Sequence, residues 1–365
     1  MDFILRAIVC CCAKPSTPPP TPTPTQPRTP RGAACEQARQ TTAWGPEPIG
    51  AVFTEIHWLE VQPGNFCLGP QQTLELPLQT RPPTLPPPPP TFRRPWREIP
   101  WRDKDTELQY VRNYKPNRHD VQHLRMLVHG PVGAGKSSFI NSVDSVLRGR
   151  IAGRALAAAE VTTSFTKKYK TYKIPKGQPG EFYPFVLNDT MGLEMKEDRG
   201  VHAEDIKLAL KGHVRDGYTF NPASKLSSDN LYYNAEPTKN DKVHVLVCVV
   251  PADKVALMTK DDVRKMTDIR RAASELGIPQ LAVITKIDLA CPEIHKDLKN
   301  VYKSKYLKDK MQKFSDFAGI PMNCIFPVKN YSEESDIKND VDSLILSVLR
   351  RIIDFGEDFI SDMET

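Results

Sequence analysis

The sequence predicts an α/β domain, a mostly parallel central sheet with helices on both faces, preceded by a proline-rich and largely disordered region. Three observations predict it. Of 34 prolines, 22 lie in the first 100 residues, and proline lacks the amide donor that helices and interior strands require. From His123 onward, continuous Val/Ile/Leu runs of the kind buried on both faces alternate with stretches of helical period. The first of those runs breaks into the glycine-rich segment HGPVGAGKSSFINSV.

These features divide the chain into residues 1–94, of low complexity, and a globular domain over 95–360. Net charge is +6, with the basic excess spread over both parts, which is not the footprint of a nucleic-acid binder. The eight cysteines show no CxxC or Cys/His metal spacing. Cys248, Cys291 and Cys324 sit in or beside apolar runs, as buried free thiols of a reducing compartment do.

In the first part, MDFILRAIVCCCAKP has an apolar stretch of about eight residues interrupted by Arg6, too short for a secretory leader. Cys10, Cys11 and Cys12 could carry acyl chains and touch a membrane; an ordinary disordered end is the plainer expectation. No window approaches the roughly 18 apolar residues of a membrane span. The proline runs should be polyproline II or disordered. Pro82 to Pro90 beside Arg93 and Arg94 has the character of a ligand for SH3-type grooves, with a stiff spacer as the alternative. AVFTEIHWLEV and QTLELPL alternate like short strands but are too few to bury a core.

In the second part, strands are predicted over Leu124–His129, Lys168–Ile174, Pro184–Leu187, Val243–Val250, Gln280–Ile284 and Asn323–Pro327. Phe139, Ile140, Val143, Val146 and Leu147 form one helical stripe, and Val341, Leu344, Ile345, Val348, Leu349 and Ile352 another; both are core. Residues 212–240 have no period and read as a long loop, of a length usually found where a loop is functional or disordered. A basic helix is expected after the fifth strand, carrying Lys296, Lys299, Lys303, Lys305, Lys308, Lys310 and Lys313. Its face is either solvated or a contact for anionic lipid or RNA.

Gly130-Pro131-Val132-Gly133-Ala134-Gly135-Lys136-Ser137 fits GxxxxGK[ST]. Glycines let backbone N–H groups curl round a β-phosphate, Lys136 reaches the β/γ oxygens, and Ser137 offers its hydroxyl to Mg²⁺ at a helix N-terminus, next to Ser138. FVLNDTMGLE supplies a DxxG: Asp189 for the water shell of Mg²⁺ and Gly192 for the γ-phosphate. In LAVITKID, the Asp288 carboxylate can accept both N–H groups on the guanine edge, which adenine cannot match. Lys286 would lie along the base, and Thr285 stands where Asn is commoner. Val328 and Lys329, after the last strand, occupy the place where a backbone N–H meets the base oxygen. Among Thr162, Thr163 and Thr166, Thr163 is taken as the switch threonine on Mg²⁺.

The ordered set HGPVGAGKSSFINSV, DTMGLE, VITKID and PVKNYSEE, with PWREIPW upstream, resembles the interferon-induced protein 44 family over about residues 95–360. The resemblance implies a Ras-like P-loop G domain, GTP or GDP with Mg²⁺, a cytoplasmic location and a role in the interferon-driven immune response to virus. Members often carry a different globular domain ahead of the G domain, which residues 1–94 do not look like.

Val132 replaces a loop glycine of small Ras-like GTPases, and Leu193 replaces the glutamine that orients the attacking water. Leucine cannot hydrogen-bond that water, so hydrolysis should be slow unless a partner or a second copy in a homo-oligomer completes the site. No catalytic residue is assigned. Two expectations result: a GTP-dependent switch or assembly factor with weak GTPase activity, or a non-hydrolysing scaffold recruiting partners through its proline-rich arm. An ATPase is disfavoured by Asp288.

Overall fold

The computed structural model describes residues 90–155, 167–194, 200–258 and 260–363. The cysteine cluster, the two alternating stretches, the proline runs up to Pro89 and Thr163 lie outside the described residues.

In chain order the elements are α1 (Lys104–Asn113), β1 (Leu124–His129), α2 (Lys136–Arg148), β2 (Lys170–Pro175), β3 (Phe182–Asp189), α3 (Ala203–Leu210), β4 (Val245–Pro251), α4 (Lys260–Glu275), β5 (Gln280–Thr285), α5 (Ile287–Ala290), α6 (Pro292–Lys296), α7 (Lys305–Ala318), β6 (Ile325–Pro327) and α8 (Asn339–Asp362). All six strands expected from the sequence are present, with ends shifted by a few residues. They form one sheet in the order β2-β3-β1-β4-β5-β6, in which only β2 runs antiparallel to its neighbour. β4 is buried along its whole length, whereas the edge strand β2 exposes Lys170 and Lys173.

Helices cover both faces. Leu124 meets α8, where a Cβ on Gly356 would lie 2.4 Å from Leu124 Cδ1 and 2.6 Å from Val245 Cγ2. Gly356 therefore lets α8 close down on β1 and β4. His129, an odd number of residues further along β1 and so on the opposite face, lines a small cavity with Met266 of α4 and Phe314 of α7. The five parallel strands end at one edge of the sheet, and the strand order reverses about β1. That edge is where open α/β sheets take ligands.

Residues 212–240 form no helix or strand, as expected, but they are built rather than loose. Val214, Tyr218, Phe220 and Leu226 are buried, and Asp205 of α3 accepts hydrogen bonds from Tyr218 Oη at 3.0 Å and Leu226 N at 2.8 Å. The single basic helix expected after β5 is corrected: its lysines fall on α6, a 3-10 turn over Leu298–Asn300, the turn at Lys303, and α7. The break has a local cause. Asp297 accepts from Lys299 N, and Ser304 caps α7 by accepting from Leu307 N, so two side chains start new elements within eight residues. Nor do the lysines share one solvated face, since Lys305 and Lys308 lie over the Phe92 ring and Lys310 is buried over Tyr306.

The segment leading into α1 is strapped to this region. Thr91 bridges Ser304, Phe92 N donates to Lys303 O at 2.8 Å, and Trp96 N donates to Tyr302 O at 3.0 Å. Arg97 donates to Met322 O and Ile325 O while its guanidinium lies over the rings of Trp96, Tyr302 and Phe326. Cys248, Cys291 and Cys324 are free thiols, the first two buried as expected and Cys324 half-buried. Among the described residues no helix is long and apolar enough to cross a membrane.

Candidate functional site

The loop between β1 and α2 has the shape its glycines permit. Gly130, at φ 143°, passes so close to β4 that a Cβ there would lie 2.0 Å from Val249 O. Gly133 and Gly135 take φ 72° and 86°, and Gly135 is the left-handed residue that starts α2. Lys136 folds back over this curl and donates to Gly130 O at 3.1 Å and Pro131 O at 3.0 Å. Burial lowers its pKa to about 8, with the nearby Asp189 carboxylate working against that shift. The loop thus holds a cation above a ring of backbone groups at the start of a 13-residue helix, which is the arrangement an anionic phosphate requires.

Ser137 and Asp189, predicted to share a metal, are brought together: Ser137 Oγ donates to Asp189 Oδ2 at 2.6 Å. One comes from α2 and the other from the end of β3. Thr190 Oγ1 ties that strand end to Val128 O of β1 at 2.9 Å. A hydroxyl and a carboxylate side by side are hard oxygen donors suited to Mg²⁺. Ser138, by contrast, is half-buried, and its carbonyl accepts from Ser142 Oγ at 2.8 Å.

The two departures flagged at Val132 and Leu193 turn out to be one contact. Leu193 forms a parallel bridge with Pro131: Leu193 N donates to Gly130 O at 3.0 Å, and Val132 N donates to Leu193 O at 3.2 Å. Gly192 packs so closely that a Cβ on it would lie 2.8 Å from Val132 Cα and 2.5 Å from Val132 Cγ2. The Leu193 side chain is buried. On the far side, Gly200 bridges back to Leu193, and Lys265 of α4 donates to Glu194 O at 2.6 Å. The DxxG segment is therefore laid against the phosphate loop as a short extra strand.

The side predicted from the sequence to take the base is assembled from the ends of β5 and β6. Thr285 Oγ1 donates to Ala134 O at 2.6 Å, so the hydroxyl that replaces the commoner carboxamide still fastens β5 to the loop. Lys286 has φ 55°, the one non-glycine residue with positive φ among the described residues, and this turn starts α5 and sets Asp288 in its first turn. Asp288 is largely shielded, with Lys329 Nζ 3.6 Å from its Oδ2; Lys329 is held in turn by Glu334 at 2.9 Å. The Lys329 pKa is raised: burial lowers it, but the Glu334 and Asp288 carboxylates outweigh that.

One expected role is corrected. Val328 N donates to Ile284 O at 2.8 Å, continuing the β5–β6 ladder, so its N–H is spent within the sheet. The backbone that would face a base is then that of Lys329, already expected there, and of Asn330. Asn330 is a residue the motif reading missed. Its Nδ2 donates to Gly135 O at 3.1 Å, one carbonyl beyond the bond made by Thr285, while its Oδ1 is buried without a hydrogen-bond partner. Its position directly after Pro327-Val328-Lys329 was the available signal. Lys265 and Glu334 carried none, since only the packing of α4 and of the loop before α8 brings them in.

No protein-family model matches the chain. Over 256 residues, 70% of its length, it is 34% identical to interferon-induced protein 44 of Homo sapiens and, over an equal span, of Mus musculus. It is also 32% identical over 257 residues to human interferon-induced protein 44-like. Over that stretch the chain belongs to the interferon-induced protein 44 and 44-like family. It spans 57%, 60% and 56% of the lengths of these three relatives. Among solved structures, Toc33 from Arabidopsis thaliana in complex with GDP and Mg²⁺ is similar with a TM-score of 0.41 and 15% identity, covering 70% of this chain and 91% of that one. A probable GTP-binding protein, EngB, gives a TM-score of 0.36 at 12% identity, covering 64% of this chain and 99% of that one. The glycine loop, the DxxG segment and TKID of this chain sit on a mostly parallel α/β sheet whose order and loop geometry are seen directly here.

Proposed function

We propose that this family member binds guanine nucleotide with Mg²⁺ and acts in the cytoplasm as a GTP-dependent switch or assembly factor of the interferon-induced response, with slow hydrolysis of its own. The observation that carries the reading is the convergence of a phosphate loop, an Asp288 carboxylate and the Ser137–Asp189 pair at one edge of the sheet. Asp288 would accept the ring N–H and exocyclic amine of guanine, selecting it over adenine. The Lys136 ammonium and the N–H groups of the loop would neutralise and orient the phosphates. Ser137 and Asp189 would hold Mg²⁺, which when bound supplies positive charge to the phosphate oxygens. Slow hydrolysis follows from Leu193, whose buried aliphatic side chain cannot orient water.

The scaffold reading keeps one supporting observation. At the end of the second proline run Pro90 O accepts from Lys305 N and Phe92 N donates to Lys303 O, so the arm joins the domain at a fixed point. Titrating the full chain with labelled GTP, GDP and ATP, then measuring turnover against protein concentration, tests both readings. Guanine selectivity with specific activity rising with concentration supports an assembling switch, and guanine binding with no turnover at any concentration supports the scaffold. ATP displacing GDP at equal concentration overturns both.

A further inference from the structure

We propose that the pairing of Leu193 with the phosphate loop is a phosphate-count filter, making the resting site one for a guanosine diphosphate and admitting a third phosphate only when the pairing is broken. The inference rests on the guanine-nucleotide reading and deepens it by naming the ligand state.

A phosphate loop holds its ligand by presenting N–H groups to phosphate oxygens. Here the N–H of Val132 is already donated to Leu193 O at 3.2 Å, and Gly130 O, beside the Lys136 ammonium, accepts from Leu193 N at 3.0 Å. Leu193 therefore occupies the rim of the loop next to the lysine that reaches the terminal oxygens. Contact with Val132 is closed at backbone distance, as the virtual Cβ of Gly192 shows at 2.8 Å from Val132 Cα and 2.9 Å from Val132 N. No room is left between the two segments for a tetrahedral oxyanion. Lys265 on α4 clamps the same strand from outside through Glu194 O, and the bridge from Gly200 to Leu193 closes it from the other flank.

A third phosphate must then replace Leu193 O as the acceptor for Val132 N and part Leu193 N from Gly130 O, whereas a diphosphate, seated on Gly133 to Ser137, leaves the pairing in place. Two hydrogen bonds of ordinary strength, Leu193 N to Gly130 O and Val132 N to Leu193 O, are at stake, each worth about a few-fold to tenfold in an equilibrium constant. The filter accordingly favours diphosphate by roughly ten- to a hundredfold. The side chain of Val132 sharpens it by filling the space over Gly192 that a glycine would leave open.

The test uses the full chain, with GDP and the non-hydrolysable triphosphate GMPPNP titrated calorimetrically in Mg²⁺, and hydrogen exchange at the Leu193 amide as a second readout. The expected result is GDP binding at least tenfold tighter, with the Leu193 amide protected in the GDP complex and exposed with GMPPNP. Lys265→Ala removes one clamp from outside the nucleotide contacts, and Leu193→Pro removes the amide bonded to Gly130 O; each should narrow the ratio by about three- to tenfold, mainly by tightening GMPPNP. Equal affinities for the two nucleotides, or a Leu193 amide equally protected with both, overturn the filter while leaving guanine binding intact. Binding of neither nucleotide overturns the guanine reading and the filter with it.

Discussion

Replacing Asp288 by Asn is the sharpest probe of the base site, because it changes hydrogen-bond polarity without changing shape. The Asp288 side chain is shielded to 17% exposure, and its neighbour Lys329 keeps a second partner, Glu334, at 2.9 Å. The substitution therefore leaves no lysine stranded, and the thermal midpoint should move little. Guanine presents two N–H groups on the edge that the carboxylate would read. A hydrogen bond to a charged acceptor is worth about 1.5–3 kcal/mol. Asn offers one acceptor and turns an N–H toward the exocyclic amine, so one bond is weakened to a neutral one and the other becomes a donor facing a donor. The expected loss is about 3–4 kcal/mol, a few-hundredfold in GDP affinity. Xanthine carries a carbonyl where guanine has that amine, so the amide of Asn should regain both bonds with xanthosine diphosphate. Calorimetric titration of wild type and Asp288→Asn with the two diphosphates measures the switch. Retention of GDP affinity within about threefold by the variant would refute the assignment of Asp288 to base recognition.

Gly130→Ala should fail at the level of the fold as well as the ligand: its Cβ would sit 2.0 Å from Val249 O at φ 143°, so β4 or the loop must move. A loss of about 3 kcal/mol or more in urea denaturation is expected, and a loss below 1 kcal/mol would mean that the loop does not press on β4. Lys136 should make nucleotide binding pH-dependent. Burial holds its pKa near 8 in the free protein, phosphate would raise it, and binding above that pH must then take up a proton. Affinity should be flat below pH 8 and fall with rising pH by up to about tenfold per unit; a flat profile from pH 7 to 9 contradicts this. His129 and His244 act on stability at the other end of the scale. Burial lowers them to about 3 and about 4 against an ordinary 6.5, so the neutral rings stabilise the fold above pH 6.5 and that contribution is lost as pH falls toward 4. By pH 5 the two together cost about 4 kcal/mol, and His244→Gln should flatten the decline between pH 7 and 5 in denaturant titrations.

The sheet was legible because its strands are buried on both faces. Runs such as VLVCVV and LAVIT have no other place to go, and their order along the chain with intervening helices leaves few topologies. β2 was legible at its core but not at its ends, since an edge strand with exposed Lys170 and Lys173 carries a weaker pattern. Helices α1, α3 and α4 went unassigned. α3 is only eight residues long, and α4 is charged along much of its length, KDDVRKMTDIRRAASE. For the site, GxxxxGKS and TKID fixed the loop and Asp288 because their spacing is dictated by the ligand. Val328 was misplaced for a reason no motif contains: β6 is three residues long, and Val328 N is still inside its ladder. The basic helix failed because net charge does not report where Ser304 and Asp297 restart the backbone.

The two halves of the site are held by different kinds of contact, and that difference bears on what a nucleotide can move. On the side predicted to take the base, Thr285 at the end of β5 and Asn330 in the loop after β6 reach across to the consecutive carbonyls of Ala134 and Gly135, and Tyr331 N continues the line to Ser142 Oγ of α2 at 2.9 Å. Two of these three bonds are buried, all cross long stretches of sequence, and each is anchored in the sheet or in α2. Breaking one exposes an interior polar group, at about 1–3 kcal/mol. On the phosphate side, Leu193 is held by two backbone bonds to the loop at a strand of one residue, with the Gly200 bridge and the reach of Lys265 to Glu194 O on its outer flank. Released, Val132 N would pass to solvent or to a phosphate oxygen and Gly130 O to solvent, so the cost of parting them is smaller and can be matched in part by a ligand oxygen. Under the proposed guanine-nucleotide reading, base recognition would thus be tied to the rigid part of the domain and phosphate recognition to the part that can exchange partners. A nucleotide would bind through the first and report its phosphate count through the second.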